Sequence, residues 1–423
     1  MYLFKEATFY DGNSLKIGDV LIDGVTISKK TSSPLSIDCS VINSQKLLLI
    51  PGFVDVHVHL REPGFFYKES IASGTSAAAS AGYTAVFSMP NLNPVCDSVE
   101  HLKAQLDIIK KTAHTKVYPY AAITVGERGE QLTDMEALSQ DTVAFSDDGR
   151  GVQNKDIMRE AMLRAKALDK PIVAHCEDNT LLDGGYIHDG EYARANGHKG
   201  ILSASEYKQI ERDIALVEET GCRYHVCHIS TKESVQLIRQ AKASGLQITC
   251  ETAPHYLTLT DMEIEDDGRF KMNPPIRSKE DRDALIEGLA DGTIDIVATD
   301  HAPHSAEEKS KGLKGSLNGV IGLDFAFAAL YTKLVLSGKL SLARLIDAMS
   351  IAPRRIFRLP EVKIKEGYPA DIAVLDLNRK WTIRGQDSLS KGHSTPFEGM
   401  EVCGKNMYTI LDGDMIWKNQ KEN

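Results

Sequence analysis

Six side chains of metal-ligating type are spread along this chain of 423 residues at spacings that repeat one pattern. The first two are His57 and His59. Phe53 to Val58 reads as a buried strand, and strand alternation puts both imidazoles on the same side of it, two residues apart. A lone His-x-His fits a hydrogen-bonded core pair as well as half a metal site, so the rest of the chain has to decide. Asp148 follows an apolar strand-like run at Val143–Ser146, His175 ends one at Pro171–His175, His228 ends one at Tyr224–His228, and Asp300 follows one at Ile294–Thr299. Each alone has a dull explanation, as a core histidine, a turn residue or a helix N-cap. Together they recur at the C-terminal ends of successive strands.

Imidazole nitrogen and carboxylate oxygen without thiolate suit Zn²⁺ in a hydrolytic site that keeps one position open. Zinc would bring the pKa of a water toward about 7 and polarise a carbonyl oxygen, which points to hydrolysis of an amide-like bond. Asp300, ligand and neighbour of that water, is the best placed general base.

The elements that must position these residues are legible as an alternation. Short strands at 7–10, 19–22 and 25–27, broken by Asp11-Gly12 and Asp23-Gly24, make a small all-β start. From Gly52 onward strands are expected at 53–58, 84–89, 117–123, 143–146, 171–175, 224–228, 247–251 and 294–299. Helices at 70–81, 154–168, 204–220, 231–244 and 279–290 fill the intervals. Eight strands with interleaved helices predict an α/β fold, a (β/α)8 TIM barrel whose C-terminal mouth carries the site. A helical tail over 320–358 precedes a return to strand texture at 372–375 and 407–417. The two ends of the chain are therefore expected to pair as a small β-sandwich, 1–50 with 362–423, beside a barrel over 51–361. The polar stretch 305–316, with Lys309, Lys311 and Lys314, reads as a mobile loop.

Composition closes several other routes. A formal net charge of −10 and no Lys/Arg block argue against nucleic acid, so an anionic small-molecule substrate has to be gripped locally. Seven scattered cysteines without CxxC fit reduced thiols and a cytoplasmic protein. Cys222 and Cys227 flank His225, but a strand through them points Cys227 away from His228, which disfavours a zinc knuckle. The first residues lack a signal-peptide pattern, and no apolar run reaches the roughly 18 residues of a membrane span.

The motifs that contain these residues resemble the dihydroorotase family of the amidohydrolase superfamily, in its long-chain class I branch. They are His57-Val58-His59-Leu60-Arg61-Glu62-Pro63-Gly64, Met89-Pro90-Asn91, Phe145-Ser146-Asp147-Asp148-Gly149, Ala174-His175-Cys176-Glu177, His228-Ile229-Ser230-Thr231, Met272-Asn273-Pro274-Pro275 and Thr299-Asp300-His301-Ala302-Pro303-His304. The resemblance implies one zinc on His57, His59, Asp148 and Asp300 and a second on Asp148, His175 and His228. It also implies a carboxylate clamp of Arg61, Asn91 and His304, with Asn273, Asn318 and Gly319 addressing the ring. A planar guanidinium suits an anionic ring acid in an acidic protein. Many superfamily members bridge two metals with a carboxylated lysine on strand four. Here Asp148 stands in that place, the nearest lysine is Lys155, and one or two zinc ions remain open. A second departure from the resemblance is Leu317-Asn318-Gly319, where relatives often carry proline or phenylalanine before the glycine.

The implied activity is the reversible conversion of (S)-dihydroorotate and N-carbamoyl-L-aspartate in pyrimidine (UMP) synthesis. Implied partners are a second copy of the chain and aspartate transcarbamoylase. Two alternatives stand beside it: another cyclic amidase, an allantoinase or dihydropyrimidinase, against which Arg61 argues, and a catalytically silent scaffold, which would be expected to have lost ligands that this chain keeps.

Overall fold

The computed structural model of the protein describes residues 1–28 and 39–419; the parts of the expected terminal module at 29–38 and 420–423 lie outside them. Both ends of the chain enter one sheet. Strands β1 (Tyr2–Tyr10), β2 (Leu15–Asp23), β3 (Thr26–Ser28), β4 (Ser40–Asn43) and β5 (Leu48–Pro51) come from the start of the chain. The end supplies Ile372–Thr382, Glu401–Leu411 and Asp414–Lys418, and the first of these pairs antiparallel with β5, Ile372 opposite Pro51. Phe4, Val20, Ile22, Leu49, Ile372, Val374 and Ile410 form the buried apolar cluster of this module.

The barrel begins at Phe53. Its strands are β6 (Phe53–Val58), β7 (Tyr83–Ser88), β8 (Lys116–Pro119) and β9 (Ile172–Ala174), then, after a small parallel pair β10 (Ile187–His188) and β11 (Gly200–Ile201), β12 (Tyr224–Val226), β13 (Ile248–Thr252) and β14 (Ile296–Val297). All neighbouring barrel strands run parallel, in the orders β6-β7-β8 and β9-β12-β13-β14. The two halves are joined by single bridges. Phe145 pairs with Ala121 on one side and Ile172 on the other, and Val58 pairs with His301, which closes the ring. This is the expected eightfold alternation with a correction at the fourth strand, which is reduced to the pairing at Phe145. Residues 143–146 still bond to both neighbours, Ser146 N to Ala121 O and Phe145 N to Pro171 O, and beyond them Asp147 ends the ladder by taking the N–H groups of Ile123 (2.8 Å) and Thr124 (3.0 Å).

The crossover helices start where their caps dictate. Ser70 accepts from Ser73 N ahead of Ile71–Ala81, Asn154 caps Lys155–Ala167, Thr231 caps Lys232–Ala243 and Ser278 caps Lys279–Asp291. A cluster of strand residues, Val54, Val56, Phe87, Tyr120, Val173, Cys227 and Ile296, packs with Phe357 from the helical tail. Among the described residues no helix is long and apolar enough to cross a membrane. The 305–316 stretch, expected as a mobile loop, has most of its residues exposed or half-buried. It holds two short helical turns, Ala306–Lys309 and Gly312–Gly315, the first capped by Ser305, and it buries Lys309 and Leu313.

Candidate metal centre and substrate mouth

The six candidate ligands converge. His57, His59, Asp148, His175, His228 and Asp300 are all buried, at the C-terminal ends of their strands. Asp148 is central: its Oδ1 lies 3.3 Å from His57 Nε2, 3.6 Å from His228 Nε2 and 3.9 Å from His175 Nδ1, and its Oδ2 lies 3.4 Å from His59 Nε2. Asp300 Oδ1 lies 3.2 Å from His59 Nε2 and 3.6 Å from His57 Nε2. His175 Nδ1 and His228 Nε2 are 3.1 Å apart. Among the described residues three sets are compact enough to hold an ion, His57-His59-Asp300, His57-Asp148-His228 and His57-Cys227-Glu251. His228 and Asp300 adopt positive φ, +30° and +49°, conformations that non-glycine residues rarely hold and that are kept where the surroundings fix them.

Electrostatics match a cation site. Burial acts to raise the Asp148 and Asp300 carboxyls, but the charge of His57 on Asp148, and contact with His59 on Asp300, outweigh it and hold both below the ordinary carboxylate range. Two carboxylates thus stay ionised inside the barrel. His57 Nε2 and Asp148 Oδ1 are buried without a hydrogen-bond partner although they face each other. Such orphaned atoms are costly unless a further group takes their lone pairs, and a divalent ion fits this donor set.

The imidazoles are oriented from behind. His57 Nδ1 lies 2.7 Å from Glu251 Oε1, and Glu251 Oε2 lies 3.2 Å from His225 Nε2, whose Nδ1 meets Thr249 Oγ1 at 2.8 Å. A carboxylate on Nδ1 fixes the ring orientation and, once a cation displaces the second proton of the charged ring, the tautomer that leaves Nε2 bare toward the centre. His59 Nδ1 is held in the same way by Asn91 Oδ1 at 2.9 Å. Glu251, His57 and Cys227 also cluster, but Glu251 is engaged with both histidines and burial pushes the Cys227 thiol far above its ordinary value, so that set presents no thiolate. Asp147 stays away from the centre, on the amides of Ile123 and Thr124.

The candidate substrate residues line the adjoining mouth. Arg61, at φ +58°, sends Nε to Pro303 O (3.3 Å) and Nη2 to within 3.3 Å of His304 Nε2. His304 Nε2 lies 2.7 Å from Asn318 O, and its Nδ1 lies 3.3 Å from Lys68 Nζ and 3.0 Å from Glu308 Oε2. Burial, then Arg61 and Lys68, push the His304 imidazole down to about 3, so it is neutral. Asn273 gives Nδ2 to Glu177 Oε1 (2.9 Å), and its Oδ1 is buried without a partner. Gly319, at φ +131°, has room for no side chain, because a Cβ there would lie 2.5 Å from Ala302 O. Asn91 differs from a pure clamp residue: besides holding His59 it directs Nδ2 at Asp148 Oδ2, 3.3 Å away.

Sequence reasoning missed Glu251 and Glu177. Glu251 ends the expected seventh strand, and a carboxylate at a barrel strand's C-terminal end was the available signal. Glu177 stands two residues after His175 in the same motif, and its Oε2 lies 3.6 Å from His175 Nε2.

Known structures share this architecture. The chain superposes on an L-hydantoinase (dihydropyrimidinase) from Arthrobacter aurescens with a TM-score of 0.88 at 24% identity, covering 99% of this chain and 96% of that one. A dihydropyrimidinase from Brevibacillus agri gives 0.85 at 23% identity, over 99% and 95%. The fold is that of the amidohydrolase barrels with a β-sandwich beside them. Sequence narrows this further. Residues 46–234 match the family described as Dihydro-orotase-like. A dihydroorotase from Bacillus caldolyticus is 48% identical over 410 residues, 96% of each chain, and one from Fusobacterium nucleatum is 47% identical over 421 residues, 99% of each. The chain belongs to the dihydroorotase family, hydrolases that act on cyclic amides.

Proposed function

We propose that this protein is a zinc-dependent dihydroorotase that interconverts (S)-dihydroorotate and N-carbamoyl-L-aspartate in UMP synthesis. The observation that carries this reading is a buried guanidinium, Arg61, two residues after His59 and bonded to Pro303 O, three residues after Asp300, beside a centre of two carboxylates and four imidazoles. The centre opens or closes an amide; the guanidinium selects a ring that bears a carboxylate.

His57, His59, Asp148 and Asp300 would hold one zinc and Asp148, His175 and His228 a second. Zinc, when bound, polarises the ring carbonyl and lowers the pKa of water. Asp300 is ionised, so it accepts the proton of the attacking water and returns it to the departing ring nitrogen; in ring closure it delivers a proton to the departing oxygen. Arg61, Asn91 and His304 position the substrate carboxylate, and Asn273, Asn318 and Gly319 address the ring. The same reading divides the chain into a barrel over 51–361 and a terminal module of 1–50 with 362–423, supported by the pairing of β5 with both ends of the chain. It also makes the protein a cytoplasmic homodimer able to associate with aspartate transcarbamoylase; its seven free thiols suit a reducing compartment.

The test is turnover of dihydroorotate beside allantoin and dihydrouracil, before and after a chelator and after zinc is restored. Chelator-sensitive turnover of dihydroorotate alone is the expected outcome. Opening of uncharged rings instead would move the protein to another cyclic amidase, and silence in every arm would make it a scaffold.

A further inference from the structure

Lys309 is one of several buried cations that the candidate mechanism does not use, beside Lys271, Arg277 and Arg354. It ends the short helical turn Ala306–Lys309 and is 6% exposed. Its ammonium donates to three backbone carbonyls, Lys271 O at 2.8 Å, Leu317 O at 2.8 Å and Gly319 O at 2.7 Å. An ammonium has three N–H donors, and here three carbonyls meet them. Burial, and then the charge of Lys271, pull this lysine down to about 7, while the three carbonyl oxygens favour its charged form.

The carbonyls belong to the two segments that carry the ring-facing residues. Lys271 lies two residues before Asn273; Leu317 and Gly319 flank Asn318. Lys271 O also accepts from Gly319 N at 3.0 Å, and Leu317 N donates to Glu308 O at 3.1 Å, so the lysine sits at the seam of these strands of chain. His304 is tied to the same seam through Asn318 O. Gly268 packs against the Lys309 carbonyl so closely that a Cβ would lie 2.1 Å from it.

We propose that Lys309 is a positioning residue for substrate, a buried latch that sets the spacing between the Asn273 and Asn318-Gly319 segments without touching substrate itself. The inference rests on the dihydroorotase reading above. It anchors the largely exposed 305–319 segment at one buried point beside the mouth, and it gives the lysine a role in binding the ring and none in the metal centre.

The experiment compares Lys309→Met, which keeps length and removes the donors, with Lys309→Arg, which keeps charge but replaces a compact ammonium by a planar fork too large for the carbonyl triangle. KM and kcat for dihydroorotate, zinc per subunit and thermal midpoint are read for each. Both variants are expected to raise KM at least tenfold while kcat per zinc-loaded subunit stays within threefold and zinc content matches wild type. Where the Met variant fails to fold, the Arg variant carries the comparison. A rise in KM for Met alone would replace the latch by a simple attraction of the cation for an anionic substrate and overturn the proposal. An unchanged KM with a lower midpoint and less active protein would also overturn it, leaving a purely structural lysine. Wild-type protein that fails to turn over dihydroorotate refutes the functional reading instead, which separates the two failures.

Discussion

On one side of the barrel mouth, His57 Nε2 and Asp148 Oδ1 are buried with no hydrogen-bond partner. On the other, His304, Lys68, Glu308 and Lys309 are bonded to one another or to backbone carbonyls, and Tyr67 gives its hydroxyl to Glu308 at 2.8 Å. The first side is incomplete as protein; something outside the chain must satisfy it. The second is largely bonded within itself, with Asn273 Oδ1 its buried unpartnered atom, as suits a surface that meets an anion with a geometry set in advance. Chemistry and recognition are thus separable in this site, and substitutions on the two sides are expected to move different quantities.

The largest effect is expected at Asp300. Asp300→Asn keeps the shape and one ligating oxygen but removes the base, so kcat is expected to fall by about a thousandfold or more, with KM little changed. Turnover measured beside zinc content checks this. An Asn variant that retains a tenth of wild-type kcat at full zinc occupancy would remove Asp300 from proton transfer and blur the division between the two sides.

Arg61→Ala is the matching break on the recognition side. Loss of a buried guanidinium from a carboxylate costs about 3 kcal/mol, roughly a hundredfold in kcat/KM, and the loss should appear mostly in KM. Zinc content is expected to stay at the wild-type level, since Arg61 bonds Pro303 O and His304 and none of the six candidate ligands. If zinc is lost together with affinity, the two sides are one unit.

The two sides were also unequally legible in the sequence. The ligand side follows from pattern: each of the six residues stands at the end of a strand whose apolar run announces it, and the structure brings all six together. Helix starts were legible for the same reason, since Ser70, Asn154, Thr231 and Ser278 cap by purely local bonds. What did not follow from pattern depends on contacts between distant segments. Lys309 sits in a run with Lys311 and Lys314 that reads as solvated surface, and only the approach of Lys271 and Gly319 turns one of the three into a buried group. Glu251 reads as a strand-end charge until His57, 194 positions away, meets it. Strand four ends where a side chain, Asp147, takes two amides of the neighbouring segment.

The smallest effect tests how the recognition side is braced from outside. His188, on β10, lies with Nδ1 3.3 Å from Arg277 Nη1, and Arg277 in turn donates to Ile201 O at 3.0 Å on β11 and follows the Asn273-Pro274-Pro275 segment. An arginine donates, so the histidine nitrogen accepts and the ring is neutral. Burial first, and Arg277 second, push this imidazole down to about 4, while Asp281 acts the other way and Arg194 adds to the depression. Between that value and the ordinary 6.5 the unfolded chain binds a proton that the folded chain refuses. Stability therefore rises with pH across the window, is complete above it and is lost on acidification, by at most about 3 kcal/mol. His188→Gln keeps an acceptor for Arg277 and cannot titrate. With chelator present in both samples, the urea midpoints of wild type and variant should run parallel above pH 6.5, and wild type should fall below the variant as pH approaches 4.5. Parallel midpoints throughout would mean that the His188–Arg277 contact opens to admit water, and that the recognition side is held by the Lys309 seam alone.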